Sequence, residues 1–119
     1  MSKKPETKFK ERVLPLLRTL PHSWWFKTQM IALRGIPDII GCINGTFVAL
    51  ELKFEDAYEK GELAPLQGYI LRKITEAGGL ALECTPENWP ETLAVLQKIA
   101  RLKAIYRPEE KPSLESLDS

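Results

Sequence analysis

Three residues near the middle of the chain combine types and spacing that suit phosphate chemistry. Asp38 and Glu51 flank the pair Asn44-Gly45, and Lys53 follows Glu51 by two positions. Asn-Gly is the preferred pair for a two-residue type I′ turn, so the segments on either side are predicted to form a β-hairpin. Counting outward from that turn places Asp38 opposite Glu51. The sequence therefore predicts two carboxylates that face each other across a hairpin.

Facing carboxylates repel each other, because side chains directly opposite in antiparallel strands have Cβ atoms about 4.5–5.5 Å apart. Both strands are apolar on both faces, which is typical of strands covered on each side. Since burying bare charge is costly, we expect a divalent cation that takes oxygen ligands, Mg²⁺ or Mn²⁺. Alternation puts Lys53 on the same face as Glu51, where its ammonium could orient an attacking water or stabilise charge on a phosphate. The apolar positions are Ile40, Cys42, Phe47 and Ala49 on the carboxylate side, and Ile39, Ile43, Val48, Leu50 and Leu52 on the other.

The flanking sequence supplies the elements that would hold this hairpin. Apolar residues recur at helical spacing over 6–20, with Pro15 expected to kink or end the helix. An aromatic-rich run predicts a strand over 24–29, and Pro65 opens a helix that stops at a Gly-Gly pair. The predicted order is helix 6–20, strand 24–29, hairpin strands 38–43 and 46–53, helix 65–78, strand 80–84 and helix 90–103. This order indicates the α/β class, with a central mixed β-sheet flanked by helices.

Length and composition place limits on these interpretations. The 119 residues fit one domain, which we assign to 1–106, while the Pro-, Ser- and Glu-rich segment 107–119 is predicted to be a disordered tail. Apolar residues at 44% and charged residues at 28% exclude a fibrous or wholly disordered chain. A net charge of +1 does not by itself require nucleic acid.

Cysteine usage and hydropathy bear on the compartment. Cys42 and Cys84 lie in apolar runs without zinc-ligand spacing, so both are predicted to be reduced core thiols. No apolar stretch approaches the roughly 20 residues that cross a bilayer, and the N-terminus lacks a signal-type apolar run. We therefore expect a cytoplasmic protein with no membrane partner.

The motif Gly35-Ile36-Pro37-Asp38, the hairpin, and Glu51-Leu52-Lys53 together resemble the signature of the PD-(D/E)XK nucleases. Within that superfamily, residues from about 6 to 84 resemble the VRR-NUC group in its short, stand-alone, phage-like form. The resemblance implies a restriction-endonuclease-like core and metal-dependent hydrolysis of phosphodiester bonds in DNA, leaving 5′-phosphate and 3′-hydroxyl ends. It also implies that Asp38 and Glu51 hold Mg²⁺ or Mn²⁺ with the Leu52 backbone carbonyl, while Lys53 assists the attacking water.

The resemblance implies two further catalytic residues, a Glu on the first helix and a Gln on the helix after the signature strand. Gln67 fits the second position and would contact the water or the scissile phosphate. Glu6 stands three, seven and eleven residues before apolar helix positions, as the corresponding Glu does in the family, so Glu6 is preferred as a further metal ligand. Glu11 stays the alternative, because Pro15 interrupts a regular helix.

Other residues are weaker candidates. Lys27, Arg34 and Lys73 are predicted to contact DNA phosphates, with plain solvation as the alternative. The aromatic run 24–26 suggests base stacking or an interface, but core packing is the default because alternation turns at least one ring inward.

Two other function classes stay open. One is a module of the same fold that binds nucleic acid without cleaving it; the other is a structural or interaction protein, which would bind no metal. The presence of Asp38, Glu51 and Lys53 together favours the enzyme. The sequence leaves open the preferred DNA structure, such as a flap or junction, the number of metal ions, and whether the protein is a monomer or a homodimer.

Overall fold

The computed structural model describes residues 4–28, 35–54 and 63–102, apart from the side chains of Glu6, Leu63 and Ala64. The predicted tail at 107–119 lies outside these ranges. The elements in chain order are α1 (Pro5–Leu17), β1 (Ser23–Lys27), β2 (Ile39–Ile43), β3 (Thr46–Leu52), α2 (Leu63–Glu76), β4 (Leu80–Cys84) and α3 (Trp89–Arg101). The α/β class and the predicted order of elements are confirmed.

The four strands form one open mixed sheet in the order β1-β2-β3-β4. β2 is antiparallel to both of its neighbours, β1 and β3, whereas β3 and β4 are parallel. Parallel neighbours need a crossover rather than a tight turn, and α2 supplies it. The mixed sheet thus follows from one Asn-Gly turn and one helical crossover.

The β2–β3 hairpin has the predicted turn. Asn44 has φ 49° and Gly45 has φ 86°, the left-handed values that a type I′ turn requires at both central positions. The register agrees with the prediction, with the pairs Ile43–Thr46, Gly41–Val48 and Ile39–Leu50. The ladder ends at that last pair, one residue short of the predicted pairing between Asp38 and Glu51.

The main core lies between the sheet and the two helices α1 and α3. Phe9, Val13 and Leu17 recur every four residues and are buried, which gives α1 one continuous apolar face. Pro15 is exposed and α1 continues two residues past it to Leu17, so the helix does not end at the proline and stops short of the predicted residue 20. The core cluster also contains Leu20, Trp25, Ile39, Ile43, Val48, Leu50, Leu52, Cys84, Trp89, Leu96 and Ala100.

The opposite face of the sheet is covered less completely. In the part of the chain that the structure describes, α2 packs over β3 and β4, and β1 and β2 lack a helix on this side. Trp24, Phe26, Cys42 and Phe47 are exposed there. The expectation that both faces of the hairpin are covered is therefore wrong at Cys42 and Phe47 on the carboxylate side, whereas Ala49 and Glu51 on that side are buried. Within residues 4–28, 35–54 and 63–102, no helix has the length and hydropathy that a bilayer crossing requires.

The two cysteines differ in environment. Cys84 is buried, as predicted, whereas Cys42 is exposed, so the prediction of a core thiol is wrong at that position. Burial raises the pKa of the Cys84 thiol to about 12, although a hydrogen bond with Thr92 lowers it in part. At neutral pH Cys84 is thus a protonated, unreactive thiol, which excludes it as a nucleophile.

Candidate active site

Asp38 is held at the end of the sheet by contacts with two strands. The Thr28 amide, just after β1, donates a hydrogen bond to the Asp38 carbonyl oxygen at 2.9 Å, and the Thr28 hydroxyl donates to the Pro37 carbonyl oxygen. The Asp38 carboxylate in turn accepts a hydrogen bond at 2.7 Å from the backbone amide of Leu52 on β3. An amide bonded to a carboxylate is a strong, charge-assisted donor, so this contact fixes the carboxylate where the β2–β3 ladder ends.

Glu51, Gln67 and Lys53 form a connected chain of polar side chains. Lys53 Nζ donates to Gln67 Oε1 at 2.8 Å, and Gln67 Nε2 donates to Glu51 Oε1 at 3.4 Å. Glu51 exposes only 5% of its surface. β3 supplies the acid and, directly after its last residue, the lysine, while the first half of α2 supplies the amide that joins them. Three residues predicted from sequence therefore meet in space.

A cavity of about 200 Å³ with both polar and apolar walls opens beside Asp38 on the α1 side of the sheet. Its walls include Leu52, Lys27 on β1 and Lys10 on α1. Lys27 was predicted from the sequence, whereas Lys10 was not, although Lys10 lies four residues after Glu6 and so shares its face of the helix. Asp38 thus borders a cavity that two lysine side chains help to line.

The remaining predicted residues lie at varying distances from this centre. Glu6 belongs to α1, one helical turn before Lys10, but its side chain is outside the described part of the structure. Arg34 also lies outside the described residues. Lys73 is exposed near the end of α2, where it forms an ion pair with Glu76 at 3.4 Å. It lines a separate apolar cavity of about 360 Å³.

The site offers the kind of ligands that a hard divalent cation takes. Asp38, Glu51 and the Leu52 carbonyl are all oxygen donors, which suits Mg²⁺ and Mn²⁺ better than softer metals. The described residues contain no group of three or more His, Cys, Asp or Glu side chains placed to hold a metal. Two acids with a backbone carbonyl match Mg²⁺, which keeps several water ligands and needs one or two carboxylates. The donor set therefore fits the ion, and a third acid would come from a side chain such as Glu6.

No protein-family model matches the chain, and neither a curated protein nor a solved structure does. The function must consequently be inferred from the geometry of the site and from the resemblance in its motif.

Gly35 lies where the loop before Asp38 packs against α2. It adopts φ 78°, a left-handed conformation that favours glycine, and is buried. A Cβ atom at this position would lie 2.7 Å from Leu66 Cγ and 3.1 Å from Ile70 Cδ1. Both leucine and isoleucine belong to α2, the helix that carries Gln67. The glycine therefore sets how closely the acidic loop and the Gln67 helix approach each other.

Replacing Gly35 by alanine is expected to lower the free energy of unfolding by about 2–4 kcal/mol, from backbone strain together with overpacking against α2. Gly78→Ala is the matched control, because Gly78 has φ 96° but a Cβ atom added there would meet nothing within 4 Å. Its free energy of unfolding should fall by about 1 kcal/mol, from backbone strain alone. Denaturant unfolding of both variants measures the difference. Equal losses would show that contact with α2 does not require the glycine.

Proposed function

We propose that this chain is a metal-dependent nuclease of the PD-(D/E)XK type that hydrolyses phosphodiester bonds in DNA. The observation that carries the proposal is the hydrogen-bonded chain Lys53–Gln67–Glu51 at the same end of the sheet as Asp38. Burying an acid that is linked to an amide and a lysine in this way lowers the stability of the fold, so we expect the group to bind a charged ligand. An anionic substrate with a divalent cation is such a ligand.

The order of elements is a second support. A helix, three antiparallel strands, a crossover helix and a parallel fourth strand is the arrangement that the motif resemblance implies for a restriction-endonuclease-like core. In this chain Asp38 directly precedes β2, Glu51 lies in β3, and Lys53 follows β3 directly. The proposed core therefore has its reactive groups at one edge of the sheet.

Asp38, Glu51 and the Leu52 carbonyl would hold Mg²⁺ or Mn²⁺, with Glu6 as a further candidate ligand. When bound, the ion would supply positive charge to the phosphate and favour ionisation of a water. Gln67 positions both neighbours, since its carbonyl oxygen accepts from Lys53 and its amide donates to Glu51. Lys53 then presents its remaining N–H groups toward an incoming phosphate.

In the proposed reaction a water oxygen attacks phosphorus in line with the bond to the 3′ oxygen. The new P–O bond forms as the P–O3′ bond breaks, which leaves a 5′-phosphate and a 3′-hydroxyl. The attacking water gives up a proton to solvent, and the leaving 3′ oxygen takes one up. Lys53 stabilises the negative charge that builds on the phosphate oxygens in this step. The lysines at the Asp38 cavity, Lys10 and Lys27, would contact neighbouring phosphates.

The proposal is tested by incubating the purified chain with end-labelled flap, branched, nicked, single-stranded and duplex DNA in Mn²⁺. We expect cleavage of at least one substrate, 5′-phosphate on the products, and complete inhibition by EDTA. Tight binding without cleavage of any substrate would refute the nuclease and identify a binding module of the same fold. Neither binding nor cleavage would refute both.

A further inference from the structure

Three large aromatic side chains are exposed on the face of the sheet that carries α2. Trp24, Phe26 and Phe47 expose 62%, 40% and 43% of their surface. The strand register puts them together, because Trp24 pairs with Cys42, which pairs with Phe47, while Phe26 pairs with Ile40. Paired residues point to the same face of a sheet. We call Trp24, Phe26 and Phe47 the aromatic platform.

The aromatic platform borders the candidate active site. Ile40, the partner of Phe26, is paired on its other side with Ala49, and Glu51 lies two residues beyond Ala49 on the same strand. Alternation places Ala49 and Glu51 on one face, about 7 Å apart along the strand. A ligand strand that passes Glu51 can therefore reach the platform within one or two nucleotides.

The two rings on β1 are suited to flat ligands. Their centroids lie 6.0 Å apart with 11° between the ring planes, so Trp24 and Phe26 stack on each other and a base would stack on a ring face that points away from this pair. Nucleobases stack on such rings without regard to sequence, because every base has a π face. In a duplex each base is covered on both faces by its neighbours. Only unpaired nucleotides have a face free for this surface.

Charge around the platform also suits nucleic acid. Lys53 lies on the same face of the sheet as Glu51 and the platform, and its ammonium contacts Gln67 on α2. Lys73 lines the apolar cavity that reaches Phe47 on the far side. Aromatic rings with cationic side chains on the same face are the combination that single-stranded nucleic acids require, with rings for the bases and ammonium groups for the phosphates.

We infer that the aromatic platform binds unpaired nucleotides of the DNA substrate, next to the phosphodiester bond at the candidate active site. This inference rests on the proposed function for its substrate. It adds a preference for DNA with a single-stranded segment beside the cleaved bond, which the acidic centre alone does not give. Fully paired duplex would contact the lysines but leave the platform empty.

The test measures binding of a short labelled oligothymidylate and of a duplex of equal length, in EDTA so that cleavage plays no part. Trp24→Leu is expected to weaken binding of the single strand by about tenfold and to leave duplex binding unchanged. Trp24→Phe keeps an aromatic ring and is expected to retain single-strand affinity within about threefold. Trp25 and Trp89 are buried, so quenching of tryptophan fluorescence by the oligonucleotide should be seen in the parent and lost in Trp24→Leu.

An equal loss for single strand and duplex, or no loss for either, would overturn the inference. So would a Trp24→Leu variant that leaves DNA binding intact but abolishes self-association in sedimentation, because the platform would then be covered by a second copy. The nuclease proposal and the platform proposal can be refuted independently of each other. Single-strand binding through Trp24 in a chain that cleaves no DNA would refute the nuclease and support the platform.

Discussion

Replacing Lys53 by alanine is expected to slow DNA cleavage by about 10²–10³-fold, the loss typical of removing one donor that stabilises charge in a transition state. Lys53 donates a hydrogen bond to Gln67, and Gln67 donates one to the buried acid Glu51. This chain of contacts fixes its ammonium at the end of the sheet that carries both acids. Single-turnover cleavage of the preferred substrate in Mn²⁺ is the measurement, because it reports the chemical step rather than product release.

Lys98→Ala is the matched control for this substitution. Lys98 is exposed on α3, which packs on the other face of the sheet, so its removal subtracts the same charge at a distance from the site. We expect its cleavage rate to stay within about twofold of the parent, as for a surface change away from the chemistry. If Lys53→Ala and Lys98→Ala cleaved equally well, the reactive centre would have to lie elsewhere or the activity would belong to a contaminant.

The elements that depend on local chemistry could be predicted from the sequence. Asn44-Gly45 demands left-handed backbone at two consecutive residues, which few other turns accept, so the hairpin and its register followed directly. The strand register in turn placed Glu51 and Lys53 on one face. Gln67 could be assigned only through the motif resemblance, which implies a Gln on the helix after the signature strand.

Features that depend on packing between distant segments could not be predicted. The apolar pattern of β2 suggested a helix over each face, yet α2 packs over β3 and β4, which leaves Cys42 exposed. The predicted pairing of Asp38 with Glu51 also assumed that the ladder continued to the end of the motif. Instead the Asp38 carboxylate takes the place of a backbone acceptor at Leu52 N, a substitution that spacing alone does not show.

Lys10 is a residue of the site that could not be predicted for the same reason. Its helical spacing from Glu6 was visible, but the sequence did not show which face of α1 meets the end of the sheet. That orientation depends on Phe9, Val13 and Leu17 burying against the core, which then turns Lys10 toward Asp38. Residues that complete a site from a distant helix are found only when the packing of that helix is known.

Manganese is expected to raise the melting temperature of the parent chain and to have little effect on Glu51→Gln. A ligand that binds only the native state at ten times its Kd stabilises it by about 1.4 kcal/mol, which for a domain of this size corresponds to about 5–8 °C. The amide of glutamine has nearly the shape of the carboxylate but no charge to attract the ion. The shift on adding Mn²⁺ is the readout, because the substitution itself can change the stability of the metal-free chain.

Glu83→Gln separates this effect from a general loss of negative charge. Glu83 is the register partner of Glu51 on the parallel strand β4, on the same face of the sheet, but it is exposed. If Asp38 and Glu51 hold the metal, Mn²⁺ should raise the melting temperature of Glu83→Gln as much as that of the parent. It should not raise the melting temperature of Glu51→Gln. If both variants kept the shift, the ion would bind outside this site, and the roles of both acids in catalysis would have to be abandoned. If both lost it, the cation would be responding to the acidic edge as a whole, and β4 would belong to the metal centre.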